Sequence, residues 1–250
     1  MLMTKSILNT TRNYSPNFDK KKRAYPDIKF LIFHYTGMKS EKAAIKRLTS
    51  FKSKVSSHYL IQNDGSILTI VPDLYISWHS GVSKWKKYNS LNKNSIGIEI
   101  SNPGHNFNYK QFSKKQIISI LNLSKILIKK YKIKPKNILG HSDIAPSRKK
   151  DPGEKFPWEY LSRNRVGIWH SISQRTLINK RKQKINNLDK KKFIQNIYKL
   201  GYSNDNSLTK TKHLKILTTA FQRRFRQKLI NGIIDQECLI ISNNLIQKFK

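Results

Sequence analysis

The chain has 250 residues, of which 37% are hydrophobic and 10% aromatic, so it can build one large domain, or a medium and a small one, and is too apolar to be disordered. It carries 50 Lys+Arg against 14 Asp+Glu, a net charge of +36, which suits an anionic partner. No apolar run approaches the roughly 20 residues of a membrane span, and the single cysteine, Cys238, excludes an internal disulfide and reads as a small buried apolar residue.

The basic residues are scattered, with clusters at Lys20–Lys22, Lys84–Lys87, Lys190–Lys192 and Arg223–Arg226. No helix-turn-helix, zinc-finger or RNP-type pattern accompanies them, so nucleic-acid binding is not expected as the main function. An anionic polymer fits the same charge.

In chain order, residues 1–27 read as an irregular arm: Asn, Ser and Pro, then three lysines, then Tyr25-Pro26. The opening MLMTKSILNTTRNYSPN has one Lys and a broken apolar stretch, without the continuous apolar core of a signal peptide. Ile28–Tyr35 (IKFLIFHY) has the length and composition of a buried strand. A short helix is expected within Ser40–Phe51. Ser57–Gln62, the turn Asn63-Asp64-Gly65 and Ile67–Val71 form a hairpin, because Asp-Gly supplies the positive φ angles that such turns need. Ser95–Ser101 (SIGIEIS) alternates as a strand does, with Gly97, Glu99 and Ser101 on the face opposite the isoleucines.

The clearest helix runs from Ser113 to Tyr131. Ser113 and Gln116 form a capping-box pattern, Ile117, Ile120, Leu121, Leu127 and Tyr131 recur at helical spacing, and Pro135 closes the segment. Asn137–Leu139 is a short strand leading into Gly140-His141, and a loop rich in Pro, Gly and charge follows from Ser142 to Trp158. Strands alternating with helices indicate a mixed α/β domain over 28–175. Residues 176–188, polar, basic and without periodicity, read as a linker. Helical stretches near 189–200, 212–228 and 235–249 then form a small all-α, three-helix domain over 189–250.

Seven histidines, at 34, 58, 79, 105, 141, 170 and 213, are the first candidates for chemistry. His34 ends a buried strand, where side chains emerge at the rim of a sheet. His141 follows a short strand and Gly140 in the same way. Asp151 lies in Arg-Lys-Lys-Asp-Pro-Gly, where Pro152 biases it to an extended backbone and, with Gly153, makes a stiff turn. Two imidazoles and a carboxylate suit a zinc ion with one open position, although residues so far apart in sequence are more often ordinary structural ones. Glu99 has two readings: a solvated outer face, or a general base beside a metal.

Six motifs follow one another in a familiar order: His34-Tyr35-Thr36; Ser57-His58-Tyr59-Leu60-Ile61; Trp78-His79-Ser80-Gly81; Ser95-Ile96-Gly97-Ile98-Glu99; Gly140-His141-Ser142-Asp143-Ile144-Ala145-Pro146; and Arg148-Lys149-Lys150-Asp151-Pro152-Gly153. Together, over roughly residues 26–170, they resemble the type 2 N-acetylmuramoyl-L-alanine amidases, a superfamily that includes the peptidoglycan recognition proteins. Leu200-Gly201-Tyr202 and Ala220-Phe221-Gln222-Arg223-Arg224-Phe225, with Gly232 and Asp235, resemble the three-helix peptidoglycan-binding domain. The pairing is similar to two-domain bacterial amidases that accept 1,6-anhydromuramyl products.

The resemblance implies a central mixed β-sheet flanked by helices. It implies hydrolysis of the amide between the lactyl group of (anhydro-)N-acetylmuramic acid and L-Ala of the stem peptide, in peptidoglycan turnover and recycling. It makes His34, His141 and Asp151 the ligands of one Zn2+. Glu99 becomes the catalytic carboxylate and Lys149 the cation near the developing oxyanion, with Lys150 one register away. An extended loop would aim residues 149 and 151 the same way, favouring Lys149. Tyr35, Trp78 and His79 fall near the substrate groove; for Trp78 and His79 core packing is the alternative, and for His58 a structural role is expected. Recognition members of the superfamily often lack a metal ligand, so the filled positions here favour an enzyme over a non-catalytic binding module. The expected partner is peptidoglycan or a muropeptide, met by a monomer in the cell envelope or periplasm, with the cytoplasm as the alternative.

Overall fold

Burial of the apolar run at 28–35 on both faces decides the centre of the fold. In the computed structural model, which describes residues 10–203 and 208–249, Phe30, Leu31, Ile32 and Phe33 are all buried. Residues 1–9 of the expected arm, and 204–207 and 250 of the expected C-terminal domain, lie outside the described range. The elements are β1 (Thr10–Arg12), β2 (Phe18–Asp19), β3 (Phe30–Tyr35), α1 (Glu41–Thr49), β4 (Tyr59–Ile61), β5 (Ile67–Thr69), β6 (Ile76–Ser77), β7 (Lys84–Trp85), β8 (Tyr88–Asn89) and β9 (Ser95–Ile100). They continue with α2 (Lys114–Tyr131), β10 (Ile138–Gly140), α3 (His141–Ile144), α4 (Trp158–Arg163), α5 (Gln174–Lys180), α6 (Asn187–Leu200), α7 (Lys210–Phe225) and α8 (Gln236–Lys248).

Two compact units divide the chain: residues up to 79 with 92–133, and 80–91 with 134 onward. In the first unit the strands lie in the order β1-β5-β4-β9-β3. β9 is flanked by two parallel neighbours, β3 and β4, while β5 runs antiparallel to β4. The sheet is therefore mixed, as expected. Ile96, Ile98 and Ile100 of β9 are fully buried, as a central strand requires. α2 begins with the expected capping box, Ser113 accepting from the Gln116 amide while the Gln116 side chain accepts from the Ser113 amide. It buries Ile120, Leu121, Leu123, Leu127 and Tyr131.

The described part of the arm, residues 10–27, is more ordered than its composition suggests. β1 pairs parallel with β5, and β2 antiparallel with β6. Asn17 between them is fully buried and donates to the carbonyls of Ser50 and Val55. Two- and three-residue strands carry no periodicity of their own, so only their distant partners define them.

In the second unit, β7 and β8 form a short antiparallel ribbon. The three C-terminal helices fall within a few residues of the expected ranges. They share a core of Phe193, Ile197, Leu217, Phe221, Cys238, Ile241 and Leu245, all fully buried. The stretch read as a linker begins inside a helix, α5, capped by Ser173 and burying one residue, Leu177. Just beyond it the Arg181 fork holds the buried Glu237 carboxylate at 2.7 and 2.8 Å. One buried residue in two turns is too little to register as an apolar stripe. Among the described residues no helix is long and apolar enough to cross a membrane.

Candidate active site

The parallel ladder of β3 and β9 places His34 directly beside Glu99, so the two side chains leave the sheet on one face. The face that carries Ser95, Gly97 and Glu99 is not an outer surface. The His79 ring lies over it: a Cβ at residue 97 would sit 2.5 Å from His79 Cγ, so only glycine leaves room. His79 Nε2 is 3.0 Å from Ser95 Oγ, and its Nδ1 is 2.9 Å from His34 Nε2. His34 and His79 are buried and Glu99 is half-buried. Glu99 therefore lies half-buried in β9 beside His34, rather than on a fully solvated outer face.

His58 stands behind this row and is fully buried. The Gly97 amide donates to its Nδ1 at 3.0 Å, and its Nε2 lies 3.1 Å from the Tyr75 carbonyl. The Arg23 guanidinium lies 2.9 Å from the same Nε2. Burial, then the Arg23 charge, push the His58 pKa down to about 3. An imidazole that is neutral near pH 7 and lies against the Gly97 amide, the Ser77 hydroxyl, the Tyr75 carbonyl and Arg23 supports the structural reading of His58.

His141 opens α3 directly after β10, and both it and Asp151 are buried. The Ser142 amide donates to the Asp151 carbonyl at 2.8 Å, which ties the two segments together. His141 Nε2 lies 3.0 Å from the Ser80 carbonyl, which can only accept, so Nε2 carries the proton. Arg148 Nη2 donates to that same carbonyl at 2.7 Å. His141 Nδ1 then turns a lone pair toward Asp151 Oδ2, 2.9 Å away. Two acceptors at that distance require a cation, either a proton or a metal ion.

His34, His141 and Asp151 each offer one ligand atom, and the three atoms lie within 4.8 Å of one another. It is the one such group of three among the described residues. The donor set fits zinc: two imidazole nitrogens and one carboxylate oxygen, with His141 held in the required tautomer by a carbonyl behind it.

The remaining expected residues are placed as follows. Residues 145–149 form a turn, with the Lys149 amide donating to the Ala145 carbonyl at 3.0 Å, so the argument from an extended loop does not apply. Burial separates the two lysines instead: Lys149 is half-buried and Lys150 exposed. The Lys149 ammonium has no hydrogen bond or ion pair among the described residues. The Tyr35 hydroxyl bonds His105 Nδ1 at 2.8 Å, and His105 stacks on Tyr109 at 4.6 Å. Trp78 is half-buried, and its Nε1 donates to Asp19 Oδ1 at 2.7 Å. The sequence reading assigned nothing to Ser95, His105 or Arg148, or to the Ser80 carbonyl. Arg148 and Ser80 lie inside recognised motifs; their joint role needed the chain to fold.

Comparison with known proteins identifies the family. Residues 24–154 match the family model of the N-acetylmuramoyl-L-alanine amidases. The N-acetylmuramoyl-L-alanine amidase AmiD of Escherichia coli is 33% identical over 238 residues, covering 90% of this chain and 85% of AmiD. The 1,6-anhydro-N-acetylmuramyl-L-alanine amidase AmpD of Haemophilus influenzae is 33% identical over 178 residues, 63% of this chain and 94% of AmpD. Among solved structures, E. coli AmiD in complex with the substrate anhydro-N-acetylmuramic acid-L-Ala-D-gamma-Glu-L-Lys superposes with a TM-score of 0.80 at 32% identity, covering 92% of this chain and 93% of the other. Pseudomonas aeruginosa AmpDh3 bound to anhydromuramic pentapeptide gives 0.77 at 29% identity, covering 100% and 99%.

Proposed function

The chain belongs to the N-acetylmuramoyl-L-alanine amidase family, and from that premise we propose that it is a one-zinc enzyme of peptidoglycan recycling that cuts between the lactyl group of 1,6-anhydro-N-acetylmuramic acid and L-Ala. Its amidase activity follows from the family. The anhydro substrate is supported by the two relatives whose structures hold anhydromuramyl peptides. The observation that carries the metal assignment is the lone pair of His141 facing the Asp151 carboxylate at 2.9 Å, with His34 offering the third ligand atom.

His34, His141 and Asp151 hold the ion. When bound, zinc supplies Lewis-acid chemistry and makes water a usable nucleophile near neutral pH. Glu99 takes the proton from the attacking water and passes one to the departing L-Ala nitrogen, so the amide and water become a carboxylic acid and an amine. Lys149, a half-buried ammonium two residues from Asp151, stabilises the negative charge that develops on the carbonyl oxygen. Tyr35 and Trp78 flank the groove that takes the muropeptide. For His79, the bonds to His34 and Ser95 support a positioning role behind the ligand.

The chemistry resides in residues 28–175, and the helices of 189–250, reached through 176–188, contact the wall polymer. The protein acts as a monomer in the cell envelope or periplasm, a placement supported by the wall-binding motif and the +36 charge; cell fractionation and size-exclusion chromatography test both points. The central test is mass spectrometry of products from defined muropeptides with anhydro and intact muramyl ends, with and without a chelator. Release of the free stem peptide from the anhydro substrate, abolished by chelator and restored by zinc, is expected. Turnover that survives exhaustive chelation sinks the zinc assignment, and cleavage of intact ends alone sinks the anhydro assignment.

A further inference from the structure

Asp143 belongs to the same four-residue helix as His141 and is 1% exposed. A carboxylate so buried is costly unless fully partnered. Its partners come from two places. One is local: the Gly140 amide donates to Oδ2 at 2.8 Å, closing the turn between β10 and α3. The others lie far along the chain. The Tyr202 hydroxyl donates to Oδ1 at 2.7 Å, and Arg224 Nη1 to Oδ2 at 2.5 Å. Arg224 also donates from Nη2 to the Ile138 carbonyl at 2.8 Å, gripping β10 itself. The guanidinium is sandwiched, 4.4 Å from the Trp158 ring centroid and 4.8 Å from that of Phe225.

These contacts surround the segment that carries His141. A Cβ at Gly140 would sit 2.7 Å from Pro152 Cδ, so the same turn presses against the neighbour of Asp151. Any relaxation at 138–143 therefore shifts one metal ligand directly and the second through the Ser142–Asp151 bond. Burial and the Asp143 charge push the Tyr202 phenol upward, so it is a donor near neutral pH.

We propose that Tyr202 and Arg224, supplied by the C-terminal segment, are positioning residues that hold the metal ligand His141 in place through Asp143. The C-terminal segment then completes the metal site as well as meeting the wall. Neither residue belongs to the ligand group itself. This inference rests on the assignment of His141 as a ligand.

The test uses the full chain as wild type, Tyr202→Phe, Arg224→Lys and, as control, Ile241→Ala in the core of α8. The zinc dissociation constant is measured by competition with a chromophoric chelator, and the thermal midpoint on metal-free protein. Residues that orient metal ligands typically change affinity by about 10–100-fold. Tyr202→Phe and Arg224→Lys are expected to raise the dissociation constant at least about ten-fold, while Ile241→Ala lowers the midpoint and leaves the constant unchanged. Tyr202→Phe removes one hydroxyl and keeps Arg224, so it remains informative if Arg224→Lys does not fold. Wild-type zinc affinity in Tyr202→Phe, or an equal loss of affinity in Ile241→Ala, overturns the positioning role. Failure of the wild type to bind zinc is a different result: it overturns the ligand assignment and this inference with it.

Discussion

Glu99 is the residue on which the proposed proton transfer turns. It sits in β9 beside His34, on a face roofed by His79, and glutamine would keep its shape while losing its basicity. Glu99→Gln is expected to lower kcat by about 10²–10⁴-fold with the zinc content unchanged; near-normal kcat on a muropeptide removes Glu99 from the mechanism. His58 gives a second prediction, on stability. Its pKa falls from the usual 6.5 to about 3 on folding, so between those values the unfolded chain binds a proton that the native protein refuses. Stability from this group is complete above pH 6.5, declines as pH falls toward 3, and declines no further below that. Urea unfolding at pH 7 and pH 4.5, in chelator, should show a larger acid loss for wild type than for His58→Gln. Equal losses would mean that His58 is not the acid-sensitive group.

At the scale of elements, α2 owes its start to one hydroxyl. Ser113→Ala removes the acceptor for the Gln116 amide and should cost about 1 kcal/mol in denaturant unfolding, with zinc affinity and kcat intact. A change in kcat would mean that the cap acts beyond the helix. Elements that bury a long periodic face, β3, β9 and α2, were legible in the sequence because their pattern is local. β1, β2 and α5 were not, since each is defined by partners elsewhere: Ile67–Thr69 for β1, Ile76–Ser77 for β2, and the helix holding Glu237 for the region of α5. The site divides in the same way. His34, Glu99, His141 and Asp151 could be named because six motifs appear in order, although their spacing alone was weak. The tautomer set by the Ser80 carbonyl, and the grip of Tyr202 and Arg224 on Asp143, span 59 to 81 residues of sequence, and no local pattern announces them.

For the whole molecule, the +36 charge resides almost entirely on the exterior. Asp73, Asp143, Asp151, Asp235 and Glu237 are buried, but so are Arg23, Arg223, Arg224 and Arg226, so the buried charges nearly cancel. Attraction to an anionic wall should then be long-range and screened by salt. Co-sedimentation with insoluble peptidoglycan is expected to be strong at low ionic strength and largely lost near about 1 M salt, where the screening length is about 3 Å. Retention unaffected by salt would assign binding to specific contacts rather than to field.

The bond from the Ser142 amide to the Asp151 carbonyl bears on the thermodynamics of loading. It joins the ends of the loop between two ligands ten residues apart, so the entropy of closing that loop is lost when the chain folds and not when an ion arrives. The His141–Asp151 part of the proposed zinc site is then preformed, unlike small zinc domains that exist as folded species only with metal. Stripped of its ion, this protein should keep its far-UV circular dichroism and reload quickly. Zinc would then govern whether the enzyme turns over and leave the existence of the fold to packing alone.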